Sequence, residues 1–136
     1  MTRRRATILL HWLTFTLLIL LIAGGGAWLA WAFVACALAF SLLALSFGLM
    51  SGPGPKLTGA VRAAHPWMHR AMYIGAAGVA ALTARALWTG TPMPDRALMI
   101  LLAAASLHGI FHLWRHTALG DGALRRITPR ALHGLL

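Results

Sequence analysis

Residues 6–23 read ATILLHWLTFTLLILLIA, an apolar run that contains one histidine and no acidic or basic residue. A bilayer core about 30 Å thick needs roughly 20 apolar residues for one helical crossing, so this run predicts a membrane-spanning helix. Long continuous apolar runs favour α-helices over the alternating pattern of a membrane β-barrel. The preceding MTRRR resembles the start of a signal peptide, but no small-residue cleavage site precedes a polar domain, and we interpret the run as a retained first span.

Three further apolar runs follow, at about 27–50, 66–88 and 95–117. They are separated by turn sequences rich in glycine and proline, SGPGPK at 51–56 and TGTPMP at 89–94. Pro66 is predicted to lie at the start of the third helix, and a basic tail occupies 118–136. The sequence therefore predicts an all-α, integral membrane four-helix bundle that forms a single domain over residues 1–136.

The composition agrees with this class. The chain of 136 residues is 60% hydrophobic and 10% charged, whereas soluble domains are about half apolar and a quarter charged. The net charge of +10 could suggest nucleic acid, but the basic residues lie at the ends of apolar runs, which favours membrane lipid as the partner and no nucleic acid. A lone cysteine, Cys36, excludes an internal disulfide and a cysteine-rich metal site.

The basic residues also predict the orientation. If the amino terminus is inside, only Arg85 and Arg96 fall outside, and the other basic residues lie at or near inner ends: Arg3, Arg4, Arg5, Lys56, Arg62, Arg70, Arg115, Arg125, Arg126 and Arg130. This bias is what the positive-inside rule expects. For a multi-pass protein of a bacterial inner (plasma) membrane, which we assume here, both termini are therefore expected in the cytoplasm.

Five of the seven histidines lie in or at the ends of the predicted spans: His11, His69, His108, His112 and His116. Ionisable groups at membrane depth usually face the bundle interior or a cofactor, and facing histidines of a bundle can hold a haem iron from both sides. At 1.5 Å per residue, His11 is about 8 Å and His108 roughly 13 Å from the inner end of its span. The two are close enough in depth to share one haem, and apolar surroundings favour the neutral imidazole that ligates iron.

Other interpretations of the histidines stay open. Pairs at i, i+4, His65 with His69 and His108 with His112, could bind a metal ion such as zinc. No carboxylate or thiol lies nearby, however, and a metal transporter normally carries acidic residues along its path. Any single buried histidine could also be a hydrogen-bonded structural residue, and His65, His116 and His133 are predicted to be interfacial.

Two motifs resemble the bacterial cytochrome b561 family, and more loosely the cytochrome b subunits of hydrogenases and formate dehydrogenases. The first is His11-Trp12 after basic residues, early in the opening span. The second is LHGIFHLWRHTALGDGALRRITP at 107–129, with a weaker match at 64–73 around His65, His69 and Tyr73. The resemblance implies that His11 and His108 are the axial ligands of the haem nearest the cytoplasm.

The sequence departs from that family at the outer face. Members commonly hold a second haem there, using a histidine of the second span and another near the outer end of the fourth. Residues 27–50 contain no histidine, and none lies around Pro94 and Asp95. We therefore predict one haem b, and the absence of a CxxCH motif indicates non-covalent attachment.

The resemblance implies an electron carrier or oxidoreductase subunit rather than a stand-alone catalyst. Its redox partner would be quinone or the other subunits of a larger redox complex. The competing hypothesis is a haem-free structural or accessory subunit of such a complex, in which the ligand pair is a relic.

Further candidate cofactor contacts are His69, His112 and Arg70. Arg70, Arg115 and the Arg3–Arg5 group could bind haem propionates or anchor helix ends at lipid headgroups, and Trp12 and Trp114 could flank the haem or serve as interfacial anchors.

Overall fold

The structure, a computed structural model, describes residues 2–50 and 52–135. Its long helices are α1 (Arg3–Ile22), α2 (Ala27–Phe47), α3 (Gly59–Thr89) and α4 (Asp95–Thr117); a short α5 (Ala123–Ile127) and a 3-10 helix (Arg130–Leu135) follow. No strand occurs within the described ranges, which confirms the all-α prediction. Each long helix is long and apolar enough to cross a membrane. Met1, Ser51 and Leu136, which the predicted domain includes, lie outside the described residues.

Glycines end two of the long helices. The chain leaves α2 at Gly48 with φ of 72° and leaves α3 at Gly90 with φ of 66°. Both values lie in the left-handed region, which glycine enters without steric cost because it has no Cβ. The turn predicted at 89–94 is therefore confirmed. Helix α2 ends at Phe47, before the predicted end of the second span at about residue 50 and before the turn predicted at 51–56.

The start of α3 differs from the prediction. The helix begins at Gly59 and carries Pro66 in its interior, so the prediction that Pro66 begins the helix is wrong. Residues 60–64, AVRAA, are mostly good helix formers and extend the helix beyond the apolar run. Proline cannot donate to the carbonyl of residue 62, which costs one helical hydrogen bond. The early start places His65 and His69 one turn apart on the same helix.

The tightest packing joins α2 to its two sequence neighbours. Fully buried Phe33 and Ala37 of α2 belong to the same core cluster as Ala80 of α3 and Leu18 of α1. Small side chains let helices approach closely. Such close packing favours helix association in lipid, where the hydrophobic effect does not drive helices together. Helix α4 packs less extensively against α1 and α3 than α2 does against its neighbours. One side of the bundle is therefore looser than the other.

The helices alternate in direction, and both described chain ends lie at one end of the bundle. At this end the Arg3 guanidinium donates to the carbonyl of Gly48 at 2.7 Å, and the Lys56 ammonium donates to that of Leu119 at 2.7 Å. Trp12 Nε1 donates to the carbonyl of Ile127 at 2.9 Å, which fastens the segment after α4 to α1. We call this the termini end; it comprises the start of α1, the loop residues 48–50 and 52–58, and residues 118–135.

Candidate histidine-lined cofactor site

A cavity of about 230 Å³ lies between α1, α3 and α4, and α5 closes it toward the termini end. His11, His69, His108 and His112 all line it. The sequence-predicted ligand pair, His11 of α1 and His108 of α4, thus meets at one cavity together with both additional candidate histidines.

Four of the histidines form a contiguous group, the histidine cluster, made of His65 and His69 of α3 and His108 and His112 of α4. The His69 ring centroid lies 4.3 Å from that of His65, 4.9 Å from that of His108 and 5.2 Å from that of His112. The neighbours of His11 are aromatic instead, since its ring lies 5.5 Å from Trp12 and 5.9 Å from Phe40. The cavity is therefore flanked by α1 on one side and by the histidine cluster on the other.

Hydrogen bonding fixes the tautomer of one cluster member. His69 Nδ1 lies 2.9 Å from the carbonyl oxygen of His65, and because a carbonyl can only accept, Nδ1 carries the proton and donates. In the neutral ring this leaves Nε2 with a free lone pair, the arrangement that orients metal-binding histidines in proteins. The hydrogen bond to its own helix thus leaves His69 Nε2 free to act as a ligand atom.

Other cluster nitrogens are buried without a hydrogen-bond partner. His65 Nδ1, His108 Nδ1 and His112 Nε2 each lack one within the described residues. A buried polar atom without a partner costs roughly 1–3 kcal/mol, and native proteins contain few of them. An accumulation of such atoms on adjacent side chains indicates a site that a ligand completes.

A buried arginine closes the cluster at the termini end. Arg115 is 1% exposed, and its Nη1 lies 2.8 Å from His65 Nε2. Its Nε donates to Asp121 Oδ2 at 2.8 Å, its Nη2 donates to the same oxygen, and Nη2 also donates to the carbonyl of Pro53 at 2.7 Å. A guanidinium cannot accept a hydrogen bond, so His65 Nε2 is the acceptor. We call Arg115, His65, Asp121 and Pro53 the Arg115 network.

This network corrects one prediction, because Arg115 is 1% exposed and turns into the bundle instead of anchoring a helix end at the surface. His65 is also 1% exposed, and its predicted depth at the membrane interface stays a prediction. Asp121 is one of only two acidic residues in the chain and follows Arg115 by a short turn. A single carboxylate among many basic residues was the signal that could have predicted a buried ion pair here.

The remaining candidates lie in different surroundings. Arg70 is exposed, with its guanidinium carbon 4.8 Å from the centroid of the Trp67 ring, and it is not among the residues that line the cavity. Trp12 lines the cavity, while Trp114 is 43% exposed. Arg126 also lines the cavity, although the sequence analysis did not predict it as a site residue. It is therefore better placed than Arg70 to meet a carboxylate of a bound cofactor.

The donor set fits a haem, which needs two neutral imidazoles from facing helices and cations near its propionates. The cavity volume is below the roughly 300–1,000 Å³ of sites for organic ligands. Its α4 wall consists partly of small residues, Ala105 and Gly109, and a Cβ at Gly109 would meet no atom within 4 Å. A bound porphyrin therefore requires the loosely packed α4 to stand further from α1 and α3.

A second ligand set exists within the histidine cluster. One ring nitrogen from each of His65, His69 and His112 can be chosen so that all three lie within 4.8 Å of one another. Three imidazoles with an open fourth position are a common ligand set for zinc. The cluster thus satisfies the spacing for a metal ion as well.

Comparisons with protein-family models, with curated proteins and with solved structures found no match. The resemblance to the cytochrome b561 family rests on the sequence motifs quoted above, and membership of that family stays a prediction.

Proposed function

We propose that this chain is a membrane-embedded electron-transfer protein similar to cytochrome b561, holding one non-covalent haem b between His11 and His108. The observation that carries the proposal is that these two histidines, from helices at opposite ends of the sequence, line the same interior cavity. Two imidazoles on separate helices can approach an iron from opposite faces, which an i, i+4 pair on one helix cannot do.

The proposed location is a bacterial inner membrane with both termini in the cytoplasm. Four helices of spanning length support the membrane placement. The termini end gathers Arg3, Lys56 and Arg126 among other basic residues, while Arg85 and Arg96 lie toward the other end of α3 and α4. This asymmetry supports the orientation through the positive-inside rule.

A bound haem supplies one-electron chemistry, and the chain's own residues hold and shield it. His69 and His112 lie on the cavity wall, where they contribute polar groups. Arg126 also lines the cavity and donates from Nη1 to the carbonyl of Gly52 at 3.2 Å, and it is the proposed partner of a propionate. Quinone dissolved in the membrane is the proposed redox partner, or a neighbouring subunit of a larger redox complex.

A divalent metal ion in the histidine cluster is the second candidate, favoured by the 4.8 Å spacing of its three ring nitrogens. The Arg115 network argues against it. Because His65 Nε2 accepts from Arg115, the proton of the neutral ring lies on Nδ1, and ligation through Nδ1 would need that proton to move to Nε2, where it would face the guanidinium. Haem ligation by His11 and His108 requires no such proton transfer, since it does not use His65 as a ligand.

The test combines two measurements on the purified protein, a reduced-minus-oxidised visible spectrum and a determination of the zinc content. We expect a b-type spectrum in the wild type, its loss in His11→Ala and His108→Ala, and its retention in the matched control His133→Ala, which lies outside the cavity. Loss in His69→Ala with retention in His108→Ala would reassign the ligand and keep the function. Stoichiometric zinc without haem would select the metal candidate. If the protein contains neither haem nor zinc, the haem-free accessory subunit is the remaining hypothesis.

A further inference from the structure

A second and larger concavity lies at the termini end, outside the histidine-lined cavity. This groove has a volume of about 840 Å³ and runs between the first turns of α1 and residues 128–132. Trp12 lines both the groove and the inner cavity. The indole therefore separates two sites that can be studied independently.

The chemistry of the groove changes along α1. Arg4 and Arg5 line the groove near the start of α1, and Ile8, Leu9 and Trp12 line it further along the helix. Arg130 belongs to the opposite wall. At 1.5 Å per residue, Arg5 and Trp12 are separated by roughly 10 Å along the helix axis. The α1 wall of the groove is thus cationic at the termini end and apolar toward the middle of the bundle.

Among the described residues, no side-chain carboxylate is available to neutralise this cationic part. The sequence contains only two acidic residues. Asp121 is bound to Arg115, and Asp95 begins α4 at the end of the bundle away from the termini end. The side chains of Asp95 and Asp121 therefore leave the arginines of the groove without a counter-charge, and an anionic ligand could supply one.

The two walls are fixed relative to each other before any ligand binds. Arg4 Nη2 donates to the carbonyls of Arg125 at 3.1 Å and Thr128 at 3.3 Å, and the Trp12 indole bond to Ile127 adds a third link. Arg4 thus holds the second wall in place, while Arg5 and Arg130 carry the remaining charge of the groove. Preformed walls reduce the ordering cost of binding.

We propose that this groove binds an anionic phospholipid of the leaflet at the termini end. Its phosphate contacts Arg5 and Arg130, and one acyl chain lies along Ile8, Leu9 and Trp12. Arginine binds phosphate in a bidentate fork, and basic pockets between membrane helices bind anionic headgroups. Free phosphate would match the cationic part alone. The order of charge and apolar surface along the helix matches a whole lipid.

The experiment is native mass spectrometry of protein released from phosphatidylcholine nanodiscs that contain phosphatidylglycerol. The variant is Arg5→Gln/Arg130→Gln, and its matched control is Arg85→Gln/Arg96→Gln, which removes the same charge at the other end. A basic residue near an anionic headgroup contributes about a factor of five in affinity. We therefore expect roughly 30-fold weaker retention of phosphatidylglycerol in the variant and wild-type retention in the control.

Several results would overturn the proposal. The first is that the variant and the control retain phosphatidylglycerol equally. The second is that the wild type retains phosphatidylcholine and phosphatidylglycerol equally. The third is that inorganic phosphate stabilises the protein against heat as much as phosphatidylglycerol does. Arg130→Gln alone, on the segment outside the four long helices, is the milder variant if the double one does not fold, with about fivefold weaker retention expected. The result is independent of haem, because these substitutions leave the histidine-lined cavity intact.

Discussion

At the scale of single residues, the Arg115–Asp121 pair stands out because both side chains are only 1% exposed. Removing one partner of a buried ion pair leaves an uncompensated charge, which costs about 3–5 kcal/mol. We therefore expect Arg115→Met to lower the free energy of unfolding by that amount, as measured by reversible unfolding in mixed micelles.

The double variant Arg115→Met/Asp121→Leu removes both charges and provides the control. Apolar replacements of a whole buried pair are often neutral or stabilising, so it should recover most of the lost stability. A loss below about 1 kcal/mol in Arg115→Met, the range of exposed pairs, would show that the pair is accessible to water.

Single residues also show what the sequence could and could not predict. Polar groups within an apolar run have few alternatives to the bundle interior, so His11 and His108 could be placed at one cavity from their positions alone. His65 and Arg115 lie near helix ends, where a side chain can turn outward to headgroups or inward to a partner. The nearby Asp121 was a local signal for the inward direction of Arg115, whereas the contact of Arg115 with Pro53 depends on a loop distant in sequence, which no local pattern encodes.

At the scale of secondary-structure elements, α4 is the wall that would have to move to accommodate the proposed haem. Ala105 lines the cavity, whereas Ala103 on the same helix is exposed. We expect Ala105→Leu to fill cavity volume and weaken haem binding by roughly 5- to 150-fold, since overpacking costs about 1–3 kcal/mol. Haem titration of the apoprotein, followed by absorbance, measures this change.

Ala103→Leu is the matched substitution, with the same added volume on an exposed face. It should bind haem as the wild type does. Equal effects of the two variants would mean that the cavity beside α4 is not where haem binds.

Helix existence and helix ends were predictable to different degrees. In lipid a spanning segment must satisfy its backbone internally, so the apolar runs predict the long helices well. The first turns of α3 lie outside any apolar run, and their helical state follows from residues such as Ala60 and Ala63 that a hydropathy pattern does not register.

At the scale of the whole molecule, the charge asymmetry predicts the topology. We expect cysteines introduced at Thr2 and Gly134, in a Cys36→Ser background, to be protected from a membrane-impermeant thiol reagent in intact spheroplasts and labelled after lysis. A cysteine at Thr91, in the turn before α4, should be labelled without lysis. Labelling of Thr2→Cys and Gly134→Cys on opposite sides of the membrane would contradict a bundle of four crossings.

The most direct test of the central claim is the molar ratio of haem b to polypeptide in wild-type protein purified from haem-replete cells. One haem held between His11 and His108 predicts a ratio close to one, extractable by acidic organic solvent because the attachment is non-covalent. A ratio near zero would contradict the electron-transfer function, and a ratio near two would contradict the single site.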